Sequence, residues 1–173
     1  MPTHKLIFAG PKGAGKTTAI YAISDIPPLV AKPAQAKHQL VDTSRDFGVL
    51  NLMGNEKVQL HEIAISEQKL VLPEDWLIDG IGLILLLDNS RNEPIKDMWL
   101  YLKAFQEFIA GTQVAIGITN MDKSISPGIA DYHAQLQKSN FNPPIFSVDA
   151  RVKNDVSMLV QSLLYSLNPG LAD

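Results

Sequence analysis

The residues best equipped for chemistry lie together near the start of the chain, in the run Gly10-Pro11-Lys12-Gly13-Ala14-Gly15-Lys16-Thr17. Every fixed position of the GxxxxGK[ST] phosphate-binding loop is filled. A triphosphate is best cradled by backbone N–H groups at a helix N-terminus, where the macrodipole also favours an anion. Gly10, Gly13 and Gly15 let a backbone turn tightly and approach phosphates without a Cβ in the way. Lys16 would supply a point charge to the β and γ phosphates, and the Thr17 hydroxyl would ligate Mg²⁺. Pro11, Lys12, Ala14 and Thr18 complete the set expected at the phosphates. A chance glycine turn before Lys-Thr is the plain alternative, and the flanking sequence argues against it. Lys5–Ala9 is a short apolar run suited to a buried strand, and Thr17–Ser24 has the apolar spacing of a helix, which is the context the motif requires.

Two further polar stretches each follow a predicted strand, where a base would sit. Thr119-Asn120-Met121-Asp122 follows Gln113–Ile118, and Asp149-Ala150-Arg151 follows Ile145–Val148. A carboxylate at Asp122 can accept from guanine N1–H and from the exocyclic amine, whereas adenine presents a lone pair at N1 and leaves it unpaired. Sites built this way discriminate by about four to five decades. Backbone N–H groups of the Asp149 stretch could reach guanine O6. Alone, each stretch is equally well read as ordinary loop polarity.

The elements that must position these residues alternate. A connection rich in proline, Ile26 to Leu40, follows the first helix. Phe47–Met53 and Lys57–Ala64 flank the turn signal Gly54-Asn55 and read as an antiparallel hairpin. Ile65 to Asp79 has no clean period. Ile81–Leu87 is a buried strand by its continuous apolar character, and it ends at Asp88. Pro94 opens a helix to about Ala110, capped near Asn92 or Glu93. Its aromatic residues Trp99, Tyr101, Phe105 and Phe108 suit either a core or a partner surface. A helix over about Gly128 to Lys138 and a strongly amphipathic one ending near Leu167 complete an α/β chain, with the ligand expected at the carboxyl ends of the strands.

Composition narrows the function classes. At 173 residues, 46% apolar and 19% charged, the chain is globular, and its length suits one domain, 1–173. A net charge of −3 with scattered Lys and Arg leaves no footprint for nucleic acid. No cysteine occurs, so disulfides and thiolate metal sites are excluded. His4, His38, His61 and His133 are too dispersed to suggest a local metal motif. No apolar run spans a bilayer and no lipidation motif is present, so a cytoplasmic protein without an integral membrane segment is expected.

In order, GPKGAGKT, TNMD and DAR resemble the nucleotide-binding elements of Ras-like small GTPases, over nearly the whole chain. The resemblance is to bacterial Ras-like proteins of the MglA type and related P-loop GTPases, with Thr43-Ser44-Arg45-Asp46-Phe47-Gly48 leading into the second strand. It implies a three-layer P-loop NTPase (Ras-like) α/β fold, a six-stranded mostly parallel sheet with one antiparallel edge strand. It also implies a GTP/GDP switch using Mg²⁺, often partnered by a roadblock-type activator. By the same resemblance Thr43 is a second candidate Mg²⁺ ligand, Arg45 a candidate in-chain arginine finger and Gln68 a candidate water-orienting group.

The chain departs from the family at the third-strand end, where DxxG and glutamine are expected and Glu62-Ile63-Ala64-Ile65-Ser66-Glu67-Gln68 stands. With Gln68 in the glutamine place, Ala64 replaces the aspartate and Glu67 the glycine. Alternatively Glu62 stands in for the aspartate and Ile65 takes the glycine place. Asn120 replaces the family lysine. A GTPase with slow or partner-dependent hydrolysis is the leading reading. A non-hydrolysing P-loop scaffold and an ATP-using kinase or ATPase, with Asp88 as its Walker B carboxylate, are the rivals.

Overall fold

Residues that are apolar on both faces take the middle of the sheet, because only interior strands are covered on both sides. β1 (His4–Ala9) lies between β4 (Lys57–Ile63) and β5 (Gly80–Asp88), parallel to both. The computed structural model describes residues 4–26, 29–30, 46–52, 55–63 and 78–167. β6 (Val114–Thr119) and β7 (Ile145–Ser147) continue the parallel side. β3 (Asp46–Asn51) pairs antiparallel with β4, as the hairpin pattern predicts, and Asn55 takes the positive φ of 70° that such a turn demands. Gly54 lies outside the described residues.

The six expected strands are present, one of them antiparallel. A seventh, β2 (Leu29–Val30), pairs with β3 on its outer side, giving the order β2-β3-β4-β1-β5-β6-β7. The antiparallel strand expected at the edge therefore carries a two-residue strand beyond it. Two residues are too few to show a period, so the connection after the first helix concealed it.

Alternate residues of the central strands enter two separate cores. Leu6, Phe8, Ile84 and Leu86 pack with α1 (Lys16–Ile23) and α5 (Lys153–Leu167). Ile7, Ala9, Leu83, Leu85 and Leu87 pack with α2 (Pro94–Ala104) and α4 (Ile129–Gln137). Each large side chain buried this way contributes about 1.5–3 kcal/mol. The amphipathic reading of α5 holds, with Val156, Leu159, Val160, Leu163 and Leu164 buried.

The aromatic helix is two helices. α2 ends at Ala104 and α3 (Gln106–Gly111) follows, separated by Phe105 at φ −96°, ψ 11°. Phe105 is wholly buried and meets Phe108 edge-on at 6.4 Å between ring centres, so the break seats a ring in the core. Tyr101 is buried as well, and Trp99 and Phe108 pack against the same core. Burial thus accounts for Tyr101 and Phe105, while Trp99 and Phe108 remain partly exposed. Among the described residues, no helix is long and apolar enough to cross a membrane.

Candidate nucleotide site

The phosphate-loop sequence joins β1 to α1 at the carboxyl end of β1. Its three glycines all take positive φ, at 148° for Gly10, 85° for Gly13 and 97° for Gly15, a region L side chains rarely adopt. Gly10 is also packed against β5, since a Cβ there would lie 2.0 Å from the Leu86 carbonyl oxygen. Gly15 is the N-cap of α1 and offers no capping side chain, and no acidic residue occupies the first turn. The N-terminus of α1 therefore keeps its affinity for an anion.

Lys16 folds back over the loop. Its Nζ donates to the carbonyls of Gly10 at 2.8 Å and Pro11 at 3.0 Å, and the residue is only 5% exposed. Burial holds its ammonium below the ordinary lysine range, opposed by Glu62 and reinforced by Arg91. Glu62, level with Phe8 in the β1–β4 register, accepts a 2.6 Å hydrogen bond from the Thr17 hydroxyl and lies 3.9 Å from Lys16 Nζ. Of the two registers open in the sequence, this geometry brings Glu62 to the loop. Ala64, Ile65, Glu67 and Gln68, like Thr43 and Arg45, lie outside the described residues.

The base-side stretches meet the loop in one cavity of about 580 Å³, a size suited to a small molecule. Gly13, Ala14, Gly15 and Thr18 line it on one side, and Thr119, Asn120, Asp122, Asp149, Ala150 and Arg151 on the other. Thr119 is 5% exposed, and its hydroxyl faces both the Ala14 carbonyl at 2.9 Å and the Leu87 carbonyl at 3.2 Å. Asp149 is gripped by Arg151 through Nε at 2.9 Å and a terminal guanidinium nitrogen at 2.7 Å. Those hydrogen bonds hold its carboxyl down at about 2. Lys12, exposed on the loop, does not line the cavity.

Asn120, though it lines the cavity, has its amide engaged by β5. At φ 57° its amide donates to Asp88 at 2.8 Å. Asp88 also accepts from the Ser90 backbone and hydroxyl. Burial pushes the Asp88 carboxyl up, but the hydrogen bonds from Ser90 and Asn120 outweigh it and leave it below the ordinary range. The neighbouring Asn89, 1% exposed, donates to the carbonyls of Ser124 at 2.7 Å and Pro127 at 3.0 Å and accepts 2.5 Å from the Tyr132 hydroxyl. Neither Asn89 nor Tyr132 stands out in the sequence, because the contact spans 43 positions and neither residue belongs to a motif.

These arrangements define a mixed α/β, GTPase-like fold with its cavity at the carboxyl ends of the strands. Among solved structures, a bacterial selenocysteine-specific elongation factor, EF-Sec, is similar with a TM-score of 0.63 at 21% identity. The match covers 97% of this chain and 30% of the elongation factor, so the chain spans less than a third of that protein's length. The likeness establishes the fold and carries no indication of the MglA type in particular. No protein-family model matches the chain, and no curated protein does.

Proposed function

We propose that the chain is a single Ras-like G domain of three-layer P-loop architecture, a guanine-nucleotide switch with slow or partner-dependent GTP hydrolysis. The observation that carries this reading is the cavity in which Asp122 and the Asp149 stretch face the same space as the glycine loop. Phosphates held at Gly13 to Thr18 would direct a base toward the Asp122 carboxylate, which pairs with guanine and not with adenine. Thr119, Ala150 and Arg151 would border the base, with Asn120 spent on positioning the loop.

Thr17 and Glu62 fit a hard divalent cation. Both offer oxygen, as Mg²⁺ prefers, and a nucleotide's phosphates supply further oxygens. The Thr17 hydrogen is engaged by Glu62, so the hydroxyl's lone pairs remain for a metal. When bound, Mg²⁺ would neutralise charge on the phosphates. Lys16 would meet the β and γ phosphates from inside the loop. A roadblock-type activator is the partner class the family resemblance suggests, and the cytoplasm is the proposed location.

The ATP-using alternative needs Asp88 as the metal-side carboxylate. Asp88 is instead engaged by Ser90 and Asn120, and Glu62 is the carboxylate that reaches Thr17. Competition of unlabelled GTP and ATP against a fluorescent guanine nucleotide tests the proposal. GTP should displace the probe far more effectively, and equal displacement by ATP would overturn it.

A further inference from the structure

No hydrogen bond anchors the Asp122 side chain among the described residues, and beyond its electrostatic attraction to Arg151 the position of its carboxylate is set by the loop that carries it. That loop, from Thr119 to Pro127, is held at both ends by two consecutive side chains at the end of β5. Asp88 takes the amide of Asn120 on the near side. Asn89 sends both hydrogens of its amide to the far side, to the Ser124 and Pro127 carbonyls, and its backbone N–H to the Thr119 carbonyl at 3.0 Å.

Both amide hydrogens of Asn89 are thus used, and its side-chain oxygen accepts from Tyr132. Tyr132 is itself wholly buried. A buried amide with both donors and its oxygen engaged is held in one orientation, since turning it would strand several polar groups at about 1–3 kcal/mol each. Burial, with the carboxylates of Asp97, Asp88 and Asp131 nearby, raises the Tyr132 hydroxyl above its ordinary range, so it stays a donor at any physiological pH.

We propose that Asn89, backed by Tyr132 and flanked by Asp88, is the positioning residue of the base loop, and thereby sets how well the site distinguishes guanine from purines lacking its 2-amine. The inference rests on the guanine reading above and adds a residue outside the cavity wall to it. Hypoxanthine keeps N1–H and O6 but has no exocyclic amine, so the difference between GTP and ITP isolates the second hydrogen bond to Asp122. A charge-assisted bond of that kind corresponds to roughly tenfold or more in affinity, provided the carboxylate is held to within a few tenths of an ångström.

The test compares GTP, ITP and inorganic tripolyphosphate on the full chain carrying Asn89→Ala or Tyr132→Phe. In the wild type GTP should bind at least about tenfold more tightly than ITP. In Asn89→Ala that ratio should fall to about twofold and in Tyr132→Phe by about threefold. Tripolyphosphate affinity should be unchanged in both, because the glycine loop is untouched. Should Asn89→Ala fail to fold, Tyr132→Phe decides the matter, as it removes one oxygen and keeps the ring. A wild-type ratio retained in a folded variant overturns the inference alone. Equal loss of GTP, ITP and tripolyphosphate binding also overturns it, because it would show a general structural role. A wild type that does not prefer GTP to ITP fails the guanine reading itself, before any variant is made.

Discussion

Replacing Gly10 by alanine should damage this protein far more than the same change at Gly13, although both occupy one loop and both have positive φ. A methyl group at Gly10 would lie 2.0 Å from the Leu86 carbonyl oxygen and 3.0 Å from its carbon. An unstrained carbon–oxygen contact is about 3.3 Å or more, so β1 and β5 would have to separate by more than an ångström at the centre of the sheet. Leu86 has little room to yield, being paired with Gly117 of β6 on its other side. Overpacking of a tight site costs about 1–3 kcal/mol, and forcing an L residue into this part of backbone space adds about 1–3 kcal/mol. The sum, about 2–6 kcal/mol, is a large part of the roughly 5–15 kcal/mol that stabilises a domain. At Gly13 a Cβ would meet nothing within 4 Å, leaving only the backbone term of about 1–2 kcal/mol. Urea unfolding followed by circular dichroism measures both, with the difference in midpoints converted through a common slope. Were the two variants to agree within about 1 kcal/mol, the β5 carbonyl could not be the wall that requires glycine at position 10.

Three other outcomes are expected. Lys16→Ala should abolish triphosphate binding by calorimetry while the fold persists, since the Gly10 carbonyl it leaves without this partner costs about 1–3 kcal/mol, the Pro11 carbonyl keeps the Ala14 N–H, and a buried charge is removed with the lysine; unchanged affinity would show that the loop holds no phosphate. Asp122→Asn should shift preference from GTP toward xanthosine triphosphate, because an amide can donate to the 2-oxo group, and competition binding with the two nucleotides checks this. The Asp149 carboxyl should titrate at about 2, followed by carboxyl-carbon NMR. Its folded value is depressed, so its pairing with Arg151 is complete above the ordinary 3.8 and is lost as pH falls through about 2. In Arg151→Ala the midpoint should return toward the ordinary range.

The strand–loop–helix geometry at residues 10–17 was legible because three glycines, a lysine and a threonine fall within eight positions, and the glycines take the positive φ that such a turn requires. The TNMD and DAR stretches were legible only as members of an ordered set, and the cavity that joins them to the loop depends on parallel strands far apart in the chain. What escaped was of two kinds. Asn89 and Tyr132 act through a buried contact between an element end and a helix interior, where neither periodicity nor motif reveals that a polar side chain is engaged. Leu29–Val30 and the kink at Phe105 are too short or too local to disturb an apolar pattern. The choice between Glu62 and Ala64 for the aspartate place was undecidable by alignment, because each register leaves a residue other than glycine, Ile65 or Glu67, in the glycine place. The packing of β4 beside β1 brings Glu62 to Thr17.

The hydroxyl of Thr119 has one hydrogen and two carbonyls within reach, one in the glycine loop and one at the end of β5. By sharing that hydrogen it ties together three segments that are remote in sequence, one of them 105 residues away. A ligand entering the cavity therefore meets walls whose mutual spacing is already fixed. The conformational entropy of bringing the two halves together has been spent during folding, and little of it remains to be subtracted from the free energy of binding.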